Sequence, residues 1–222
     1  MTSFFDDLET RATIIREAAL MSRLPSLVAH AQKAAPAFSK LLAGVDAASI
    51  TSREALAKLP VIRKNELHDL QKAGRPTDVF GGFSALLRGP KMPRLFASPG
   101  PIYEPEGTAK DYWRAGRAMY AAGFRSGDLA HNSFSYHMTP GAFIMESGLH
   151  AVGCTVFPAG VGQTEQQLQA IAELRPDGYA GTPSFLRILV EKAKETGSDI
   201  SSMKKGLVGG EAFPPSLRDW FT

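Results

Sequence analysis

The fold is decided by residues 177–197, which read DGYAGTPSFLRILVEKAKETG. A short apolar run is followed by Thr182, a residue type that caps helices, and by Pro183, a type favoured at the first helical position. Apolar side chains then recur at helical spacing, and Gly197 is the kind of residue at which helices commonly end. The stretch therefore predicts one buried strand followed by an amphipathic helix over Pro183–Thr196, which is the repeating unit of a parallel sheet.

The same alternation of short apolar runs and helical stretches extends in both directions from that unit. Five runs are predicted as strands: 94–97, 128–133, 154–157, 177–180 and 206–208. Capping-box spacing predicts helices that start at Thr108 and Thr164, and Gly123 is a predicted helix end. This order is typical of a mainly parallel sheet with crossover helices.

Residues 1–90 show a different pattern, with short helices separated by prolines and no two-residue alternation. Capping-box spacing at 51–54 starts one helix, and another is predicted over 64–71 with its end at Gly74. We therefore expect an α/β protein with an N-terminal helical subdomain over residues 1–90. An α/β portion follows over residues 91–222.

The composition is that of an ordinary globular protein. Of 222 residues, 44% are apolar and 21% are charged, which supplies a sizeable core and excludes a disordered or collagen-like chain. The 25 Lys and Arg residues exceed the 22 Asp and Glu residues by a net +3, so no nucleic-acid and no membrane partner is predicted. Residues 1–7 are acidic where a secretory signal is basic, and no apolar run approaches the ~18 residues of a membrane span, so we expect a cytoplasmic protein.

No metal site made of protein side chains is predicted. Cys154 is the only cysteine, which excludes an internal disulfide and a multi-cysteine zinc site, and we expect it to be a buried structural thiol. His131, His137 and His150 do not follow a metal-ligand spacing.

Ligands of such sheets bind outside the carboxyl ends of the strands, so the loops after the predicted strands are the candidate sites. The loop at 98–105 stands where a phosphate loop would, but its three prolines remove backbone donors, and Glu104 and the following Glu106 add negative charge. We interpret it as a rigid proline loop that shapes a pocket wall. The loops at 160–164 and 181–184 suit either a ligand phosphate or carboxylate or a plain helix start.

Two further strand ends carry candidate site residues. In residues 131–137 the aromatic rings could line an acyl or aromatic pocket, and His137 could act as an acid or base. The alternative, which we favour for each single histidine, is a hydrogen-bonded polar group at a strand end. Gly209 and Gly210 are paired glycines after the last strand, which indicates backbone that lies close to a flat ligand.

Taken in order, several segments resemble the phenylacetate-CoA ligase branch of the adenylate-forming (AMP-binding) superfamily. The similar segments are LPVIRKNEL at 59–67, GDLAHN at 127–132, GCTVFP at 153–158, QTEQQ at 163–167, RPD at 175–177, TPS at 182–184 and GGE at 209–211. The resemblance covers essentially the whole chain, and it implies part of the N-domain of an adenylate-forming enzyme.

The resemblance implies ATP-dependent activation of an aryl or acyl carboxylate as an acyl-adenylate, followed by transfer to coenzyme A. Mg²⁺ would neutralise the phosphates. The matching residues imply an adenine-binding set, Gly209, Gly210 and Glu211. They also imply a substrate-pocket set, Phe134, Tyr136 and His137. No catalytic residue is assigned.

The chain departs from this family at the phosphate loop, whose SSGTTGxP pattern aligns on residues 98–105. The residues that still match are Ser98, Gly100 and Pro105. Pro101 and Ile102 replace both threonines, and Glu104 stands where a lysine is common. Because like charge near phosphate is unfavourable, the sequence predicts that ATP binds poorly at this loop.

The chain also departs from the family in length, since members of the family are about twice as long. We expect a truncated or partial protein whose missing C-terminal half is supplied by further chain or by a partner, and a homodimer is a further expectation. Our leading hypothesis is the N-terminal part of an aryl- or acyl-CoA ligase. The second is a catalytically inactive relative that binds an acyl or aromatic ligand, and the third is an unrelated nucleotide-binding module, which the lack of a G-x-G-x-x-G motif disfavours.

Overall fold

The computed structural model describes residues 3–221, and the chain forms two compact units. The helical unit comprises Asp7–Thr108, and the sheet unit comprises the residues from Ala109 onward together with the described residues before Asp7. The division into domains at residue 90 stays a prediction.

The helical unit contains five α-helices, two short 3-10 helices and a pair of strands among its described residues. They are the 3-10 helix Asp7–Thr10, α1 (Thr13–Met21), α2 (Leu24–Ala34), α3 (Pro36–Leu41), the 3-10 helix Ala47–Ser49, α4 (Arg53–Ala57), α5 (Lys64–Gly74), β1 (Arg94–Ser98) and β2 (Ile102–Glu106). The helices pack on a small core of Val28, Leu42 and Ile50. The helix starts predicted at 51–54 and 64 are confirmed, and the side chain of Ser52 accepts a hydrogen bond from Ala55 N.

The first predicted strand does not belong to the parallel sheet, which corrects the sequence analysis. β1 pairs with β2 in an antiparallel hairpin, in which Ser98 lies opposite Ile102 and Arg94 opposite Glu106. The connection of 99–101 is far shorter than the dozen or more residues that a parallel crossover needs, so the chain must turn back. The loop after β1 therefore leads into a strand and not into a helix.

The sheet unit alternates strands and helices, as the sequence predicts. Its elements are α6 (Gly116–Ala121), β3 (Leu129–Asn132), α7 (Gly141–Val152), β4 (Thr155–Pro158), α8 (Thr164–Leu174), β5 (Gly178–Gly181), α9 (Pro183–Thr196), β6 (Lys205–Val208) and α10 (Pro215–Phe221). The strands pair in the order β4-β3-β5-β6, and every pair is parallel. The α/β fold class with a parallel sheet and crossover helices is confirmed.

Alternate side chains of the central strands enter two different cores, as the pleat of a strand requires. Ala130 and Ala180 join a cluster on one side, which also contains Met119, Phe124, Leu149 and Cys154. Tyr179 joins the cluster on the other side, with Leu168, Ile171, Leu189 and Ala193. Helices α6 and α7 thus cover one face of the sheet, and α8 and α9 cover the other.

Cys154 is a free, buried thiol, which confirms the burial expected for it. Its Sγ donates a hydrogen bond to the carbonyl of Arg125 at 3.3 Å. Burial, followed by the charge of Asp128, raises the pKa of this thiol to about 11. The thiol is therefore protonated at neutral pH and is a poor nucleophile.

Local signals placed α9 correctly and α6 incorrectly. Thr182 caps α9 by accepting a hydrogen bond from Phe185 N, and Gly197 ends it in the left-handed region at φ 72°. The helix start predicted at Thr108 is wrong, because α6 begins only at Gly116. There the carboxylate of Asp111 accepts the backbone N–H groups of Ala115 and Gly116 at 2.9 and 3.0 Å.

No helix within residues 3–221 is both long enough and apolar enough to cross a membrane.

Candidate functional site

The topology of the sheet creates a crevice between β3 and β5. From β3 the chain passes through α7 to β4 on one side, and from β5 it passes through α9 to β6 on the other side. The connections of these two neighbouring strands thus run in opposite directions. Ligands of open α/β sheets bind at this switch point, outside the carboxyl ends of the strands.

The loops after β3 and β6 meet at this switch point. Gly209 N donates to the carbonyl of Gly181 at 3.1 Å, which continues the pairing of β6 with β5 by one residue. Gly210 then turns in the left-handed region at φ 83°. A Cβ at Gly210 would lie 3.4 Å from Cε1 of Phe134 and 3.7 Å from Cγ2 of Thr182. The structure therefore brings Phe134, from the substrate-pocket set, together with Gly210, from the adenine-binding set.

Tyr136 lies on the same loop, but its hydroxyl is hydrogen-bonded to other side chains of the protein. The hydroxyl donates to Glu146 Oε2 at 2.8 Å and accepts from Asn132 Nδ2 at 2.9 Å, while the ring packs edge-on against Phe143. Burial, reinforced by the Glu146 carboxylate, raises the pKa of Tyr136. The hydroxyl is therefore protonated and fixed, and it holds the loop in place for its neighbour Phe134.

His137 stands apart from these contacts. The residue is exposed, and its backbone N–H donates to Ser135 Oγ at 3.2 Å. Its imidazole makes no hydrogen bond to the part of the chain that the structure describes. A role as acid or base requires a ligand to approach the ring from solvent.

Glu211 has a structural partner that the sequence did not reveal. Its carboxylate accepts a hydrogen bond from Ser184 N at 2.6 Å, in the first turn of α9. Hydrogen bonding from the Ser184 side chain and from its backbone N–H keeps the pKa of Glu211 below its usual value. Together with Thr182, Glu211 therefore caps α9 and ties the loop after β6 to the loop after β5.

Gln167 is the residue at this edge that the sequence analysis missed. Its Oε1 bonds to His131 Nε2 at 2.8 Å and accepts from Ser133 Oγ at 2.9 Å. Its Nε2 donates to the carbonyls of Gly160 and Gly162 at 2.9 and 2.7 Å. This buried amide fixes the loop after β4 against the end of β3. Its sequence signal was a glutamine on the apolar face of α8, next to the buried Leu168.

His131 is the hydrogen-bonded buried group that we favoured over a catalytic one. Its ring is stacked between Phe157 and Tyr179, at centroid distances of 5.5 and 6.5 Å. Burial lowers its pKa, although the bond to Gln167 opposes that shift. The imidazole is therefore neutral and belongs to the support of the site.

The phosphate-loop equivalent, with Ser98, Gly100 and Pro105, lies in the helical unit. Gln71 of α5 and Arg75, the residue that follows α5, bond to three of its main-chain groups. Gln71 donates to Tyr103 O at 3.0 Å and accepts from Tyr103 N at 2.9 Å, while Arg75 Nη2 donates to Pro101 O at 2.6 Å.

These contacts decide whether the loop fits a triphosphate. Pro99, Pro101 and Pro105 have no backbone N–H, the Tyr103 N–H is taken by Gln71, and Glu104 adds a negative charge. The loop does not fit a phosphate cradle, which needs several converging donors. Ile102 and Glu104 line a cavity of about 590 Å³. The loop at 98–105 therefore does form part of a pocket wall.

Residues 3–221 contain no group of three or more His, Cys, Asp or Glu side chains arranged to hold a metal ion.

No protein-family profile matches the chain. The chain is 31% identical over 209 residues to a phenylacetate-coenzyme A ligase of Aromatoleum evansii, an alignment that covers 89% of this chain and 46% of that protein. It is 30% identical over 229 residues to a phenylacetate-coenzyme A ligase of Pseudomonas putida, with coverage of 97% and 50%. The chain thus spans about half the length of the curated relatives it matches.

A solved structure has the same fold. It is a crystal structure of a 2-hydroxyisobutyryl-CoA ligase in complex with 2-HIB-AMP, and the match has a TM-score of 0.87 at 24% identity. The match covers 99% of this chain and 48% of that chain. At this identity the likeness concerns the fold alone.

Proposed function

The chain is a relative of the phenylacetate-coenzyme A ligases, and on that premise we propose that it supplies part of the adenylation site of an ATP-dependent aryl- or acyl-CoA ligase. The complete enzyme would activate a carboxylate as its acyl-adenylate and transfer the acyl group to the thiol of coenzyme A. This chain would form the N-terminal portion of that enzyme.

The observation that carries this proposal is the contact between the Gly210 turn and Phe134 at the switch point. The flat backbone of Gly209 and Gly210 suits the face of a purine, because no side chain keeps the ring away. The neighbouring Phe134 ring offers an apolar surface to an aryl or acyl group. Adenine and acyl group would therefore lie side by side, as they must in an acyl-adenylate.

The residues behind this edge would orient the site rather than react. Gln167 fixes the loop after β4, Tyr136 fixes the loop after β3, and Glu211 joins the loops after β5 and β6. Such rigid support holds reacting groups in a productive geometry. Mg²⁺ would supply charge neutralisation of the phosphates, and we assign no residue of this chain to hold it.

We assign residues 98–105 no role in binding the phosphates of ATP, because their backbone donors do not fit a triphosphate. The groups that bind the phosphates and complete the second step would come from the part of the enzyme that this chain does not contain, as further chain or as a partner. A homodimer and a cytoplasmic location stay predictions.

The experiment uses the chain alone and a longer protein that contains it. Each is given ATP, Mg²⁺, coenzyme A and a panel of aryl and acyl acids, and AMP and thioester are measured by chromatography. We expect both products from the longer protein and neither from the chain alone. A longer protein that makes neither product with any acid contradicts the ligase proposal.

A second candidate is a catalytically inactive relative that binds an acyl or aromatic carboxylate. The hairpin of β1 and β2 favours it, because Gln71 occupies the N–H group of Tyr103, a donor that a phosphate loop would offer to a ligand. Calorimetry on the longer protein separates the two candidates. Tight binding of ATP supports the ligase, whereas binding of phenylacetate without ATP binding supports the inactive relative.

A further inference from the structure

A groove crosses the helical unit in a place that the proposed function does not use. Two cavities of about 660 and 590 Å³ lie side by side. They share three lining residues, Leu41, Ile62 and Phe83. We call their combined surface the Phe83 groove. Either volume alone lies within the range of about 300–1,000 Å³ that is usual for small-molecule sites.

The walls of the Phe83 groove are mainly apolar. Phe38 and Phe83 meet edge to face, with ring centroids 5.5 Å apart. Leu67 of α5 and Ile102 of β2 extend the apolar surface in the second cavity. The lining aromatic side chains are only partly buried, so a ligand would remove them from water.

The elements that bear these side chains are held rigidly. Gln71 makes two hydrogen bonds to the main chain of Tyr103, which fixes α5 to β2. The carbonyl of Gly82 accepts from Ala37 N at 3.0 Å, which fixes the loop of Phe83 to α3. The groove is therefore preformed, which lowers the entropic cost of binding.

The charges around the groove favour an anion. Lys40, Arg63 and Lys64 line it, and the structure shows no ion pair for any of these three side chains within residues 3–221. One lining acid, Asp78, is already occupied, because its carboxylate accepts the N–H groups of Phe80 and Gly82 at 3.0 and 2.8 Å.

Glu104 is the remaining acid of the lining, and no partner is seen for its carboxylate within residues 3–221. Three basic side chains and one carboxylate thus line the groove without an ion pair to the described residues. The groove keeps a surplus of positive charge, and Arg63 and Lys64 concentrate it beside the second cavity.

We propose that the Phe83 groove binds an amphipathic carboxylate, such as a medium-chain fatty acid. The alkyl chain lies against Phe38, Leu41 and Phe83, and the carboxylate lies at Arg63 and Lys64. An alcohol of the same length gains the apolar contact without the ion pair, and an amine of the same length meets the surplus of positive charge. The site is independent of the adenylation proposal, because it uses only residues of the helical unit.

The test measures binding of octanoate, octanol and octylammonium to the chain by calorimetry. We expect octanoate to bind tightest, about two- to fivefold tighter than octanol, since an exposed ion pair contributes little. Octylammonium binds weakest. The absence of octanoate binding, or equal affinity for all three probes, overturns the proposal.

Variants locate the ligand. The exposed pair Arg63→Gln with Lys64→Gln lowers octanoate affinity to that of octanol and leaves octanol unchanged, whereas the exposed control pair Arg88→Gln with Lys91→Gln changes neither. Phe83→Ala weakens binding of all three probes, and Leu87→Ala, at a side chain that is 83% exposed, weakens none. If Phe83→Ala does not fold, the effect of the Arg63 and Lys64 double substitution on octanoate affinity still tests the proposal.

One further variant separates this site from the sheet edge. Phe134→Ala leaves octanoate affinity unchanged if the ligand lies in the Phe83 groove. Loss of octanoate binding in that variant, or no effect of the Arg63 and Lys64 pair, overturns the proposal without affecting the ligase proposal.

Discussion

Glu211 accepts a hydrogen bond from the backbone N–H of Ser184 at 2.6 Å, so the loop after β6 caps the helix that follows β5. The two loops that flank the proposed adenine site are thus held together by one carboxylate. Because the bond depends on the charge of Glu211, it connects the geometry of the site to pH.

Replacing Glu211→Gln tests this cap. The pKa of Glu211 is lowered in the folded protein, so its contribution to stability is present above the ordinary value of about 4.3 and is lost as pH falls through the folded value. We expect the variant to melt below the wild type at pH 7. The difference in melting temperature shrinks as both proteins are acidified, and a difference that does not change with pH contradicts the cap.

Replacing Gln167→Leu removes the amide that bonds to four partners behind the sheet edge. It leaves the buried side chains of His131 and Ser133 without their partner and removes the bonds to two loop carbonyls, so we expect a loss of about 3 kcal/mol in the free energy of unfolding. Urea unfolding measures the loss. The control is Gln169→Leu on the exposed side of α8, which costs less than about 0.5 kcal/mol. Equal effects of the two substitutions would refute the buried network.

His131 predicts a second pH dependence. Burial lowers its pKa in the folded protein below the ordinary value of about 6.5, so the unfolded chain binds the proton more readily. The contribution of the neutral His131 to the free energy of unfolding is therefore fully present above pH 6.5. It falls as the pH drops towards the pKa of His131 in the folded protein. NMR of the His131 imidazole should show half-protonation only at a pH below the ordinary value of about 6.5. A normal titration of His131 contradicts its burial.

The neighbouring glycines Gly209 and Gly210 should differ in their tolerance of alanine. Gly210 has a positive φ of 83°, so Gly210→Ala costs about 1–2 kcal/mol and shifts the turn next to Phe134. Gly209 has no positive φ, and a Cβ there would meet nothing within 4 Å, so Gly209→Ala is nearly neutral. Thermal unfolding of the two variants measures the difference. A larger loss of stability in Gly209→Ala than in Gly210→Ala would contradict the left-handed turn at Gly210.

The parts of the fold that the sequence predicted well depend on neighbouring residues. Strand β5 and helix α9 were predicted from the cap at Thr182 and the end at Gly197, both of which act within one turn of helix. The meeting of Phe134 with Gly210 followed from the rule that parallel strands end at one edge. That rule needs only the order of the elements.

The features that the sequence did not predict depend on distant or unusual partners. The hairpin was missed because its prolines hid the pairing of β1 with β2. The start of α6 was wrong because Asp111 takes a positive φ of 49° and bonds ahead to the helix. The bonds of Gln167 to Ser133 and of Glu211 to Ser184 join residues 34 and 27 positions apart, which no local pattern reveals.

The central claim is that the strand ends of the sheet unit hold adenine and an acyl group side by side. Its most direct test is NMR of the isotopically labelled chain during titration with a non-hydrolysable phenylacetyl adenylate analogue. The account predicts shifts of the amide signals of Phe134, Gly209 and Gly210, with the amide of Gly100 in the hairpin unchanged. Saturation that leaves those three signals in place, or shifts that are confined to the hairpin, would contradict it.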